Sequence, residues 1–183
     1  MESRRTRRWT VGAIILGLVQ SASCTPFASL RVGGGAASHK TEVSPIAAAG
    51  LGFGGGTYTE ALQATADVQV GPNLFMIGGG PELEFHNLRM IQRADKKLLF
   101  KWRIRPEGGF RSVSGTQTGY VGANAAVFAQ PWQLLFGLGE QSALFGAVAL
   151  NVKAGWAFKP GSDAGGFFVS SALTVDWGLG YGE

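Results

Sequence analysis

The chain has one cysteine, Cys24, and two histidines, His39 and His86, in 183 residues. A lone cysteine leaves no intramolecular disulfide, so stability outside the cytoplasm must come from the fold itself. Two histidines are little material for Ser/His/Asp chemistry, and no Cys/His/acid cluster has metal-ligand spacing. The glycine runs lack the Lys and Ser/Thr of a phosphate loop. Charge is scarce too, at 15% of residues against roughly 25% in ordinary soluble domains. After the first 24 residues no helical period competes. Glycine is plentiful instead, with 29 copies, alongside many short runs that alternate apolar and polar residues. These features describe a β-rich chain, long enough for one domain with a real core. Neither catalytic residues, nor a metal, nor a cofactor are expected.

The formal charge of +4 misleads, because Arg4, Arg5, Arg7 and Arg8 cluster at the N-terminus. Residues 1–23 hold those four Arg and Glu2, so their removal lowers the charge from +4 to +1. The remaining basic residues gather at 89–111, where acids alternate with them across a hairpin, unlike a phosphate-tracking patch. Nucleic acid is not an expected partner.

Residues 1–23 read as a signal peptide. A basic start is followed by an apolar run at 11–19, too short to span a bilayer, then by Ser21, Ala22 and Ser23. With Cys24 next, the stretch resembles a bacterial lipoprotein signal, in which the cysteine is acylated and becomes the new N-terminus. Thr25 in the following position, rather than Asp, implies outer-membrane sorting in that family. Ordinary cleavage near Ser23 is the competing reading. Export is expected either way, with the mature domain over residues 24–183.

The most informative stretch is 80–111. Glu82, Glu84 and His86 alternate with Leu83 and Phe85; Lys101, Arg103 and Arg105 alternate with Phe100, Trp102 and Ile104. Such period-2 alternation marks a strand with one apolar and one polar face. Folding back about Arg93-Ala94 places Glu84 beside Arg103, Glu82 beside Arg105 and His86 beside Lys101. A ladder follows in which Glu82 and Glu84 meet Arg103 and Arg105, Glu107 and Arg111 extend it, and Asp67 adds an acid. Asp176 is expected to reach Arg31.

Further alternating runs occupy 27–36, 45–53, 58–70, 119–129, 143–158 and 167–181, with a break at Pro131 and an ambiguous apolar segment at 132–140. The count gives about eight strands, an all-β, single antiparallel up-and-down barrel. Alternation alone does not say which face is wet. A lipocalin-type barrel turns its apolar face inward, and an outer-membrane barrel turns it toward lipid. Two features favour lipid: the polar faces carry Gly, Ala, Ser, Thr, Gln and Asn with few isolated charges, and Tyr58, Trp102, Trp156, Trp177 and Tyr181 lie mostly on the apolar face, several near strand ends, as an aromatic girdle.

On these residues the chain resembles the small eight-stranded outer-membrane barrels of the OmpA/OmpX type over about residues 27–181. The last strand, alternating and ending in Tyr181, looks like the assembly signal of such proteins. The resemblance implies the outer membrane of a Gram-negative bacterium, with membrane lipid and the barrel-assembly machinery as partners. An even strand count with Cys24 anchored on the periplasmic side makes both termini periplasmic, with 37–42, 71–73, 112–118 and 159–165 as the expected outside loops. The expected role is structural or interactive, with limited solute passage along a Glu/Arg-lined lumen as a lesser option. The alternative is a periplasmic lipocalin-like barrel holding an apolar ligand; a lipid-modifying enzyme using His86 is third.

Overall fold

The computed structural model describes residues 25–39, 42–56, 60–86, 99–134, 142–159 and 165–181. These form eight strands: β1 (Thr25–His39), β2 (Glu42–Gly56), β3 (Glu60–Gly71), β4 (Leu74–His86), β5 (Leu99–Val113), β6 (Thr116–Leu134), β7 (Ser142–Ala157) and β8 (Gly166–Tyr181). Every neighbour pair is antiparallel, and β1 pairs with β8 to close the ring in sequence order. The expected all-β up-and-down barrel is the observed one. Strands of 12 to 19 residues exceed the roughly 9–11 that a tilted strand needs to cross a bilayer.

Glycine and β-branched or aromatic residues build these strands, and specific residues turn them. Between β5 and β6, Ser114 (φ 48°) and Gly115 (φ 83°) both have positive φ. A two-residue hairpin needs that geometry to match the twist of its strands. Asn73, in the turn between β3 and β4, accepts a hydrogen bond from the Ser114 N–H at 2.9 Å, tying the two turns together. These turns share one end of the barrel with His39, Glu42, Ala157 and Gly166; Thr25 and Tyr181 lie at the other.

Several boundaries differ from the sequence reading. Strands β1 and β2 run to His39 and from Glu42, and only Ser114 and Gly115 separate β5 from β6, so the strands take in residues that were expected in the loops at 37–42 and 112–118. Pro131 does not end its strand. Strand β6 continues to Leu134 through a register shift between Ala129 and Trp132, a bulge that absorbs the missing N–H. The hairpin turn expected about Arg93-Ala94 lies outside the described residues, as do Cys24 and Tyr58.

The faces are those of a lipid-facing barrel and the reverse of a lipocalin-type one. Outward positions carry Leu51 (63% exposed), Phe53 (69%) and Val43 (71%), with Leu, Val, Ile and Trp on every other strand. Inward positions carry Glu82 (0%), Arg105 (1%), Lys153, Arg111, Gln63 and Ser170. An interior of eight strands is narrow enough to be filled by side chains. The turn end is filled by an apolar cluster of Ala37, Ile46, Leu74, Met76, Tyr120, Ala157 and Phe168. Within it the Tyr120 and Phe168 rings meet edge to face at 5.2 Å. Below this plug the interior is ionic.

Candidate functional site: the charged interior

Period-2 alternation delivers Arg31 of β1, Asp67 of β3, Glu82 and Glu84 of β4, Lys101, Arg103, Arg105 and Glu107 of β5, Lys153 of β7 and Asp176 of β8 to the inside. Closure then sorts most of them into two rings of alternating sign.

The first ring joins four strands. Arg31 donates two hydrogen bonds to Glu82, from Nη1 to Oε2 at 2.8 Å and from Nη2 to Oε1. Glu82 Oε1 also lies 3.8 Å from Arg103 Nε. Arg103 Nη1 donates to Asp176 Oδ2 at 2.6 Å, and Asp176 returns to Arg31 Nε at 3.8 Å. Neutral groups complete the carboxylates: Gln63 Nε2 donates to Glu82, and Thr174 Oγ1 donates to Asp176 Oδ1 at 2.6 Å. Asn151 accepts from Arg103 Nη2 at 2.9 Å and donates to Thr174 at 2.9 Å. The Arg103 guanidinium carbon stands 5.0 Å from the Phe128 ring centroid, a cation–π distance.

The second ring stacks above the first, toward the turns. Arg105 binds Asp67; Asp67 Oδ2 accepts from Lys153 Nζ at 2.7 Å. Lys153 Nζ lies 2.9 Å from Glu107 Oε1, and Glu107 Oε2 accepts from Arg105 Nη2 at 2.6 Å. Arg105 also donates to Thr65 Oγ1 at 2.8 Å, and the Tyr120 hydroxyl donates to Glu107 Oε1 at 3.1 Å. Gly78 makes room for that hydroxyl, because a Cβ there would collide with it. Each ring holds two cations and two carboxylates, so each is neutral. Neutrality matters because a buried charge without its partner is expensive, whereas a fully paired and hydrogen-bonded set is tolerated.

Placement follows the expected faces more closely than the expected partners. Glu84 stands opposite Arg103 and His86 opposite Lys101 in register, as the hairpin requires. Glu82 bonds Arg31 and sits near Arg103, while Arg105 turns instead to Asp67 and Glu107. Glu84 pairs with Lys101 at 3.3 Å. Arg111 stands against the apolar plug, its guanidinium carbon 4.7 Å from the Phe168 ring. Asp176 faces Arg31 across the closure, as anticipated. Lys153 and Tyr120 completed the second ring unannounced; their parity with Asn151 and Asn124 marked both as inward. Of the girdle, Trp102 and Trp177 project outward near the terminal end and Trp156 near the turn end. Trp102 stacks on Phe85 at 4.3 Å. The side chains of His86 and Tyr181 lie outside the described residues.

No protein-family model matches the chain, and no curated protein matches it. Among solved structures, the crystal structure of Neisserial surface protein A (NspA) superposes with a TM-score of 0.53 at 8% sequence identity. The match covers 86% of this chain and 97% of that one. At that identity the likeness is one of fold: a small, closed, antiparallel barrel like that of a bacterial surface protein.

Proposed function

We propose that the protein is a small outer-membrane β-barrel of a Gram-negative bacterium with a structural or interaction role rather than a catalytic one. The observation that carries this reading is the inverted distribution of polarity, with bare Leu, Phe, Val and Trp outside and two neutral ion rings inside. Water would not tolerate that exterior over eight strands, and lipid requires it. In this reading residues 1–23 direct export, Cys24 is acylated, and membrane lipid and the assembly machinery are the partners. The apolar plug and the stacked rings fill the bore, which limits solute passage to small, slow leaks. A lipocalin-like role is disfavoured because such a protein needs an apolar interior to hold its ligand.

Cell fractionation, followed by gel mobility of unboiled and boiled samples, tests the reading. A heat-modifiable band in the outer-membrane fraction is the expected result. Release of a Cys24→Ala form as a soluble protein would overturn it. For the non-catalytic part, a His86→Ala strain should show an unchanged lipid-A profile.

A further inference from the structure

The wall has one interruption in the pairing of β4 with β5. Pairing runs in constant register from Leu74 opposite Val113 to Gly79 opposite Gly108, and resumes at Leu83 opposite Ile104. Between these points the same register sets Pro81 directly opposite Pro106. Neither residue has an N–H, so neither carbonyl finds a donor across the strands. In hydrocarbon an unmet backbone carbonyl is costly, and proline is normally kept out of paired interior strands. Two prolines face to face leave this stretch of the β4–β5 boundary without ladder bonds.

Side chains cover the break from outside on one flank only. Toward the turns the adjacent outward positions are Gly79 and Gly108, while toward the termini Leu83 and Ile104 flank the two pyrrolidine rings. Inside, β4 presents Gly78 and Gly80, and a Cβ at Gly80 would strike the Pro106 carbonyl. What spans the break is Arg105. From β5 it passes over the two glycines of β4 to reach Thr65 and Asp67 on β3, the direct register neighbours of Gly80 and Gly78. A guanidinium strap thus holds across three strands what the backbone ladder omits across two. Behind it lie Glu107 and the Tyr120 hydroxyl.

We propose that the β4–β5 boundary at Pro81 and Pro106 is a lateral gate in the barrel wall, with Arg105 as its latch. Opening needs no loss of ladder bonds at the break itself, but it requires release of the Arg105 contacts to Thr65 and Asp67 and of the Arg103 approach to Glu82 beside them. The gate leads sideways from lipid to Glu107 and Tyr120, bypassing the apolar plug. This inference uses the barrel and its lipid-facing wall and does not depend on which biological role the barrel serves.

Hydrogen exchange read by mass spectrometry, on the full mature chain in lipid nanodiscs, tests it. Segments 79–83 and 104–108 should exchange at least tenfold faster than segments 32–36 and 171–175, which pair without a break. Thr65→Val, which at constant volume removes the Arg105 latch contact and the hydroxyl's 3.1 Å hydrogen bond to the Gly80 carbonyl, should speed the first pair a further severalfold and leave the second unchanged. The double variant Pro81→Ala/Pro106→Ala, which restores two donors, should slow the first pair to the rate of the second. Equal protection in the unaltered protein overturns the gate. Acceleration of all segments together in Thr65→Val overturns the latch, since it marks Arg105 as a general support only. No slowing in the double-alanine variant overturns the role of the prolines.

Discussion

Arg31 and Asp176 face each other across the β1–β8 closure, and each reaches past the other to the far wall, Arg31 to Glu82 of β4 and Asp176 to Arg103 of β5. The seam that completes the cylinder is thereby tied to the strand pair whose ladder is broken. Glu82 serves both arginines, as Asp176 does. Glu82→Ala leaves two buried guanidiniums short of a partner and should destabilise the barrel by about 3–5 kcal/mol. The shift of the unboiled band to lower temperature on gels measures the loss.

The second ring predicts a failed rescue. Exchanging charges in the pair Asp67→Lys/Lys153→Asp preserves the contact between those two positions. It also sets the new lysine against Arg105 and the new aspartate against Glu107. An isolated pair would tolerate the exchange, whereas a ring of alternating signs does not. The double variant should remain less stable than the unaltered protein in urea titrations of liposome-inserted material.

Tyr120→Phe removes one hydrogen bond to the charged Glu107, a loss of about 1.5–3 kcal/mol. The ring contact with Phe168 should survive, so the fold is kept and the cost is readable in the same titration.

Gly78→Ala pushes a methyl into the Tyr120 hydroxyl. Overpacking of this kind costs about 1–3 kcal/mol. Combining it with Tyr120→Phe should recover part of that cost, which a double-mutant cycle would show as a favourable coupling.

On the outer face, Leu150 is 54% exposed near the middle of β7. Leu150→Lys should cost about 2–4 kcal/mol in a bilayer, where the charge faces hydrocarbon. On a water-facing wall the same change would be close to neutral, so refolding yield into liposomes separates the two environments.

The architecture was largely legible from alternation. Leu83 against Glu84, or Val152 against Lys153, assigns each residue to a face without any knowledge of its neighbours, and the hairpin register of Glu84 with Arg103 follows from its two strands alone. Partners within the interior were not legible. Arg105 meets Asp67 because β4 contributes glycines between them, and Arg31 meets Glu82 because the ring closes; both relations depend on the cylinder rather than on adjacent strands. Pro131 misled because a proline in a strand reads as a stop, while a bulge lets the strand continue. Tyr120 and Phe168 were hard to assign inward because aromatics in such a chain are drawn toward the girdle, and only parity separates the two destinations.

The first ring has a consequence for the order of events during assembly. Its members come from β1, β4, β5 and β8, the first and last strands included. Until the final strand arrives, Arg31 lacks Asp176 and Arg103 lacks the same acid, so a partial sheet would carry uncompensated cations into hydrocarbon. Strand-by-strand insertion is therefore uphill for most of its course. If the wall faces lipid as proposed, collecting all eight strands before crossing would present an interior that is already neutral.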